Sequence, residues 1–249
     1  MSDCLDAMIA GRTDLVFQEE KDTLTGKLHS KMHRLYEILD QQSRENKIQR
    51  QQLETIVADI SHQVKTPIAN VRMYHSLLQK KNLDEEKKEQ FLGAAQRQTD
   101  KLEFLMKSMI KMSRLETGIV EVRPKENPIR VLLEQVVCDI ALKAEAKQIE
   151  IEMECDEGLK AVFDKKWTLE AVFNILDNAV KYTGQGGKIQ IKAQITDFFV
   201  RIGIRDNGKG IEEARQTEIF KRFYREPEVA DQDGVGIGLY LAREIVMKE

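Results

Sequence analysis

The sequence predicts an α+β chain, a long helical hairpin followed by an α/β sandwich. Two observations set this expectation. Between Gly26 and Gly118 the helix breakers are limited to Pro67 and Gly93, too few to interrupt long helices. After Pro128 the texture changes to short segments of alternating polarity with helical stretches before and after them.

The first helix is expected to run to about Lys80. Leu28, Met32, Leu35, Leu39, then Leu53, Ile56 and Ile60 follow alternating steps of four and three, the heptad rhythm of a coiled coil. The intervening seam positions Gln42, Asn46 and Gln49 are polar, which trades stability for register. Lys81 to Asp84 reads as a turn. A second helix from about Glu85 to Glu116 aligns Phe91, Ala95, Gln98, Leu102, Leu105, Met109 and Met112 on one face. Two such hairpins, one from each of two chains, make a four-helix bundle, so a homodimer is expected. Gly118 to Pro128, with Pro124 and Pro128, reads as a hinge.

The second part opens with a helix over about Ile129 to Lys147 and a strand over Ile149 to Met153. A helix around Leu169 to Lys181 follows, then strands over Lys188 to Ile195 and Phe198 to Arg205, and a last helix from Gly238. The pattern predicts an α+β layer and not a βαβ repeat.

Bulk properties narrow the function. With net charge −3 the chain lacks the basic excess of a nucleic-acid or membrane-surface binder. The three cysteines, Cys4, Cys138 and Cys155, lack metal-ligand spacing and read as reduced thiols. No apolar run approaches the roughly 20 residues that span a bilayer.

The sharpest segment is Ser61-His62-Gln63-Val64-Lys65-Thr66-Pro67. With Ile60 and Gln63 on the seam, His62 faces outward, and Thr66 lies one turn later on the same face. Pro67 cannot donate to the Gln63 carbonyl, so the helix is expected to bend beside His62. A neutral imidazole keeps one ring nitrogen available as a nucleophile. His29, His33 and His75 have no such neighbours and read as surface residues.

His62-Gln-Val-Lys-Thr66-Pro resembles the H box of sensor histidine kinases, the phosphorylated segment of two-component systems. Four further boxes follow in that family's order. Asn174-Ile-Leu-Asp-Asn178-Ala-Val-Lys181-Tyr182 resembles the N box and Asp206-Asn-Gly208-Lys-Gly210 the first glycine box. Ile219-Phe220-Lys-Arg222-Phe-Tyr-Arg225 resembles the F box and Gly234-Val-Gly236-Ile-Gly238 the second glycine box. A lone glycine box is weak evidence, but five boxes in order are specific.

The resemblance implies a histidine kinase/gyrase type of ATP-binding domain, ATP and Mg²⁺ as cofactors, and a response regulator receiver domain as partner. Asn174, Asn178 and Lys181 are spaced by four and three, so they share a helix face and can converge on a triphosphate. An amide oxygen is a hard ligand suited to Mg²⁺. By resemblance Asn178 holds the metal, Asn174 supports it and Lys181 meets a phosphate. Asp206 recognises adenine, with Gly208 and Gly210 letting the base approach the backbone. Gly234, Gly236 and Gly238 open the last helix, whose N-terminus suits phosphate oxygens. Residues from about Glu212 to Asp233 form a lid carrying Phe220, with Arg222 or Arg225 reaching the γ-phosphate.

The expected organisation is residues 1–44 as a membrane-proximal linker and coiled coil, 45–117 as the dimerisation and phosphotransfer hairpin, 118–128 as the hinge, and 129–249 as the ATP-binding domain. The parent would then carry a transmembrane sensor upstream, with this chain as the cytoplasmic portion of a membrane-anchored bacterial protein. Its implied activity is phosphorylation of His62 by ATP and transfer to an aspartate, with phosphatase action toward the same partner. Two departures stand out. The family places Glu or Asp where this chain has Gln63, and a closing β-hairpin after the last helix is not reached. The alternatives are a nucleotide-binding dimeric scaffold with little kinase activity and an ATPase of the gyrase, mismatch-repair or chaperone kind. The His62 segment argues against the second.

Overall fold

The computed structural model describes residues 24–80, 83–116, 122–226 and 234–249. Most of the expected linker, much of the hinge, the centre of the Lys81–Asp84 turn and the end of the lid lie outside them. Contacts divide the chain into two units, residues 1–63 and 64–249.

Helix α1 (Leu24–Leu78) runs unbroken through Pro67. Its residues 24–63 belong to the first unit. Leu35, Leu39 and Leu53 of the heptad stripe are 55%, 54% and 61% exposed, as a seam awaiting a partner helix would be. Intrahelical pairs such as Arg44–Asp40 and Arg50–Glu54 line its polar sides.

In the second unit α1 turns back into α2 (Glu85–Glu116), and Tyr74 stacks on Phe91 with ring centroids 6.1 Å apart. Glu85 and Glu86 in the first turn of α2 and Arg114 in the last complement its dipole. The apolar face of α2 has two uses. Beyond Leu102, Leu105 and Leu115 are buried with Met109 packed beside them, in one cluster with Trp167, Leu241 and Ile245. Lys111 reinforces the contact with two bonds to the Glu170 carboxylate, 2.7 and 2.8 Å.

The α/β layer contains strands β1 (Lys125–Pro128), β2 (Glu150–Glu154), β3 (Lys160–Phe163), β4 (Lys188–Ile195) and β5 (Val200–Asp206), and helices α3 (Ile129–Ala146), α4 (Lys165–Tyr182) and α5 (Gly238–Val246). One sheet has the order β2-β4-β5, with β2 parallel and β5 antiparallel to β4; β1 and β3 pair separately and antiparallel. Ile189, Ile191 and Ala193 of β4 face Leu133, Val136 and Ile140 of α3 and Leu176 and Val180 of α4. On the opposite face Lys188 meets Glu152 and Lys192 meets Glu154 across the strands.

Two expectations need correction, and one pairing is added to the expected α+β layer. The last residues of the predicted hinge, Lys125–Pro128, form β1, an edge strand where proline's missing N–H costs no ladder bond. The added pairing is the parallel β2–β4 pair, which makes β2-α4-β4 a single crossover and not a repeat. One-sided alternation reads the same in parallel and antiparallel strands. Phe198 and Phe199 belong to a turn before β5, closed by the Thr196 N–H donating to the Phe199 carbonyl at 2.8 Å.

The α4 N-terminus is set by Asp164, whose Oδ1 accepts from the backbone N–H groups of Lys166 (3.0 Å) and Trp167 (3.2 Å), while Oδ2 accepts from Arg123 N–H at 2.9 Å. Burial pushes this carboxyl up, but the Arg123, Trp167 and Lys166 N–H groups outweigh it and hold it below the usual aspartate range. Asp164→Ala is therefore expected to cost about 1–2 kcal/mol at neutral pH. A depressed folded value means the benefit is present above the unfolded aspartate range and is lost as pH falls through the folded value. Urea unfolding read by Trp167, the chain's single tryptophan, checks this: wild type and variant should converge in acid, and a gap independent of pH would contradict it.

Candidate nucleotide and phosphoacceptor sites

In the second unit the boxes separated in sequence gather around one face of α4. Its apolar stripe, Ala171, Val172, Leu176, Ala179 and Val180, is buried. That orientation leaves Asn174, Asn178, Lys181 and Tyr182 half-buried beside it. The Asn174 amide donates to the Glu170 carbonyl at 2.8 Å, which aims its Oδ1 away from that turn.

The second glycine box lies against this face. A Cβ at Gly238 would stand 3.0 Å from Asn174 Oδ1, and one at Gly234 would stand 2.8 Å from Lys181 Nζ. Gly236 has φ +77°, a left-handed conformation, and a Cβ there would come within 2.5 Å of the Tyr224 carbonyl oxygen. The glycines thus let this segment approach Asn174, Lys181 and the Tyr224 carbonyl more closely than a Cβ would allow. Val235 and Ile237 between them are buried anchors.

The first glycine box meets the C-terminal end of α4. A Cβ at Gly208 would lie 2.5 Å from the Tyr182 carbonyl oxygen. Asp206, exposed at the end of β5, accepts from Gly208 N–H through Oδ1 at 2.9 Å. Asn207 accepts from Lys188 N–H at 2.9 Å and secures the turn. Gly210 has φ +72° with open space around it.

The F box supplies Phe220, 37% exposed in a short 3₁₀ turn, and the two arginines. Arg222 donates to the Tyr240 hydroxyl at 2.6 Å and lies 4.6 Å from its ring centroid, so it is tied to α5. Arg225 is close to Tyr182. Burial pushes the Tyr182 phenol up, Arg225 and Lys209 pull it down, and Glu226 adds to the rise. The Tyr182 ring also carries the ammonium groups of Lys181 at 5.0 Å and Lys209 at 5.8 Å. Tyr240 and Lys209 were missed by sequence reasoning. Lys209 lies inside the first glycine box, but its ring partner is distant in sequence.

Among the described residues no group of three or more His, Cys, Asp and Glu side chains could hold a metal ion. The side-chain amide oxygens of Asn174 and Asn178 are hard donors of the kind that suits Mg²⁺.

The phosphoacceptor segment belongs to α1. His62 is exposed in the first unit, with Gln63 half-buried; Thr66 is exposed and Pro67 buried in the second. Ser61 bonds back to the Val57 carbonyl at 2.7 Å.

Comparisons with known proteins match two domain families in the order of the chain. Residues 52–118 match the His Kinase A (phospho-acceptor) domain, and residues 163–249 match the histidine kinase-, DNA gyrase B-, and HSP90-like ATPase family. Drug sensory protein A of Synechocystis sp. is 30% identical over 206 residues, covering 77% of this chain and 31% of that protein. Sensor histidine kinase YvrG of Bacillus subtilis is 28% identical over 229 residues, covering 89% and 39%. The chain therefore spans well under half the length of these relatives. In fold it is similar to histidine kinase ThkA, solved in complex with response regulator protein TrrA (TM-score 0.62, 22% identity, 77% of this chain and 56% of that one). It is also similar to the Acinetobacter baumannii histidine kinase AdeS (TM-score 0.61, 18% identity, 75% and 86%). With a phosphoacceptor domain followed by an ATPase domain, and relatives of the same kind along most of its length, the chain belongs to the sensor histidine kinases.

Proposed function

We propose that the chain binds Mg-ATP between α4 and the two glycine boxes, phosphorylates His62, and passes the phosphoryl group to an aspartate of a response regulator receiver domain. The observation that carries this reading is the convergence of the boxes. Glycines of both glycine boxes approach Asn174, Lys181 and the Tyr182 carbonyl more closely than a Cβ would allow, so the three boxes meet at one place. Asp206 keeps Oδ2 for an adenine amine while Oδ1 holds the loop. Lys181 offers charge to a phosphate, and the α5 N-terminus at Gly238 offers the positive end of a helix dipole. Asn178, supported by Asn174, would hold Mg²⁺, which when bound neutralises phosphate charge.

In the transfer a ring nitrogen of His62 forms a bond to the γ-phosphorus. The bond from that phosphorus to its bridging oxygen breaks, ADP leaves, and the imidazole N–H proton departs. The receiver's aspartate then takes the phosphoryl group from the nitrogen. The bare heptad stripe supports a homodimer through α1. No described helix is long and apolar enough to cross a membrane; a sensor region upstream in the parent, with this portion at the cytoplasmic side, fits relatives named as sensors. Incubation with γ-labelled ATP tests the reading. Acid-labile, alkali-stable label on the chain is expected, and ATP binding without label would favour the scaffold alternative.

Gln63 sets a limit on rate. A carboxylate at that position could take the departing imidazole proton, whereas an amide accepts the hydrogen bond but not the proton. Gln63→Glu is expected to raise the single-turnover labelling rate by roughly tenfold at saturating Mg-ATP, a fraction of what positioned proton transfer supplies. An unchanged or lower rate would mean that proton departure does not limit the step.

A further inference from the structure

We propose that Lys147 is a positioning residue for the nucleotide site, its ammonium group clamping the end of α4 so that Lys181 and Tyr182 stay aimed at the glycine boxes. This role rests on the nucleotide reading above. Lys147 stands just past the end of α3 and reaches across to the last turn of α4. There its Nζ donates to the carbonyls of Val180 (2.9 Å), Lys181 (2.7 Å) and Thr183 (3.1 Å). All three ammonium hydrogens are thereby used on carbonyls that a helix end otherwise leaves without intrahelical partners. A cation at this end also meets the negative pole of the helix dipole.

The clamp is reciprocal. The Lys147 carbonyl accepts from Gly186 N–H at 2.9 Å, in the loop that follows α4, and its own N–H closes on the Ala144 carbonyl at 3.1 Å. The next residue, Gln148, is left-handed at φ 53°, a sharp corner that sends the chain into β2. The Tyr182 carbonyl, which Lys147 does not take, faces Gly208 across a gap too small for a Cβ. The carbonyls from Val180 to Thr183 therefore each have a fixed neighbour, one of them in the loop that carries Asp206. Side chains of the same turn do the proposed work. Lys181 Nζ lies against Gly234, and the Tyr182 ring lies among Lys181, Lys209 and Arg225. Thr183 is 2% exposed, and its hydroxyl has no hydrogen-bond partner.

Without the ammonium group three partly buried carbonyls lose their donor, and the last turn of α4 should fray. The test uses the full chain with Lys147→Met, which keeps the stem and removes the donors, and Lys181→Ala. Hydrogen exchange reads the clamp directly. The amides of Thr183 and Gly186 should exchange roughly tenfold faster in Lys147→Met, local opening being made easier. Calorimetric titration with Mg-ATP reads the site. Lys147→Met should weaken binding about tenfold in the wild-type background and far less in the Lys181→Ala background, the non-additivity expected of coupled neighbours. Equal losses in both backgrounds would make Lys147 a stabiliser only and overturn the proposal, as would unchanged affinity. If the unsubstituted chain itself fails to bind Mg-ATP, the nucleotide reading falls and this role with it, an outcome distinct from failure at Lys147 alone. Should Lys147→Met not fold, Lys147→Gln, which keeps part of the donor set, carries the same cycle with a smaller expected loss.

Discussion

His62→Ala is expected to reduce labelling from γ-labelled ATP to background while leaving Mg-ATP affinity unchanged. The side chain is exposed on α1, and surface substitutions of this kind usually alter stability by no more than about 0.5 kcal/mol. Unfolding therefore cannot explain a complete loss. His33 already engages Glu37, its Nδ1 lying 3.4 Å from the carboxylate, and His75 closes the last turn of α1. Neither stands beside a Thr-Pro step like Thr66-Pro67. Substantial acid-labile label on the His62→Ala chain would mean that the phosphoacceptor is another residue. Mg-ATP titration of the same variant separates the two sites, because the residues proposed to bind the nucleotide all belong to the second unit.

The second large effect is expected at Asp206. Losing a hydrogen bond between a charged acceptor and the adenine amine costs on the order of 1.5–3 kcal/mol. At about 1.4 kcal/mol per decade this weakens ATP and ADP binding roughly ten- to hundredfold. The two nucleotides should suffer alike, since the contact is to the base and not to the γ-phosphate. Asp206 has a second task, accepting from Gly208 N–H, so alanine alone could act through a loosened loop. Asp206→Asn separates the two effects. An asparagine oxygen can still accept from Gly208, but its other terminus is a donor and cannot serve an exocyclic amine. If Asp206→Asn binds as weakly as Asp206→Ala, the base contact is the cause. Normal affinity in Asp206→Asn would assign the loss to the loop, and normal affinity in both would remove Asp206 from adenine recognition.

The residues proposed to bear the chemistry were legible in the chain because each box is a local pattern. Asn174, Asn178 and Lys181 share a face through helical spacing alone, and the structure keeps them together beside the buried Ala171-Val172-Leu176-Val180 stripe. Glycines announce close approach wherever they fall, although their spacing does not say what approaches. That Gly208 would strike the Tyr182 carbonyl and Gly238 would crowd Asn174 emerges once β5 and α5 have both packed against α4.

The longer elements were legible for the same local reason. A 32-residue helix over Glu85–Glu116 and an alternating strand over Lys188–Ile195 carry their periods in the sequence. The four-residue strands β1 and β3 do not, because they gain stability from each other across a separation of 36 positions between Asn127 and Phe163, where the Asn127 amide donates to the Phe163 carbonyl. The parallel choice for β2 was likewise invisible, as both pairings bury the same side chains.

The two arginines of the F box and Lys147 mark the boundary. Arg222 and Arg225 are equivalent in sequence, and a folded α5 is needed to bring Tyr240 to the first and leave the second near Tyr182. Lys147 reads in the chain as an ordinary last residue of a helix. It becomes the donor to three carbonyls of another helix because α3 and α4 pack on one sheet face and end at the same edge. Side-chain spacing along one element is written in covalent order, whereas a partner thirty-odd residues away is chosen by burial of the apolar faces between them.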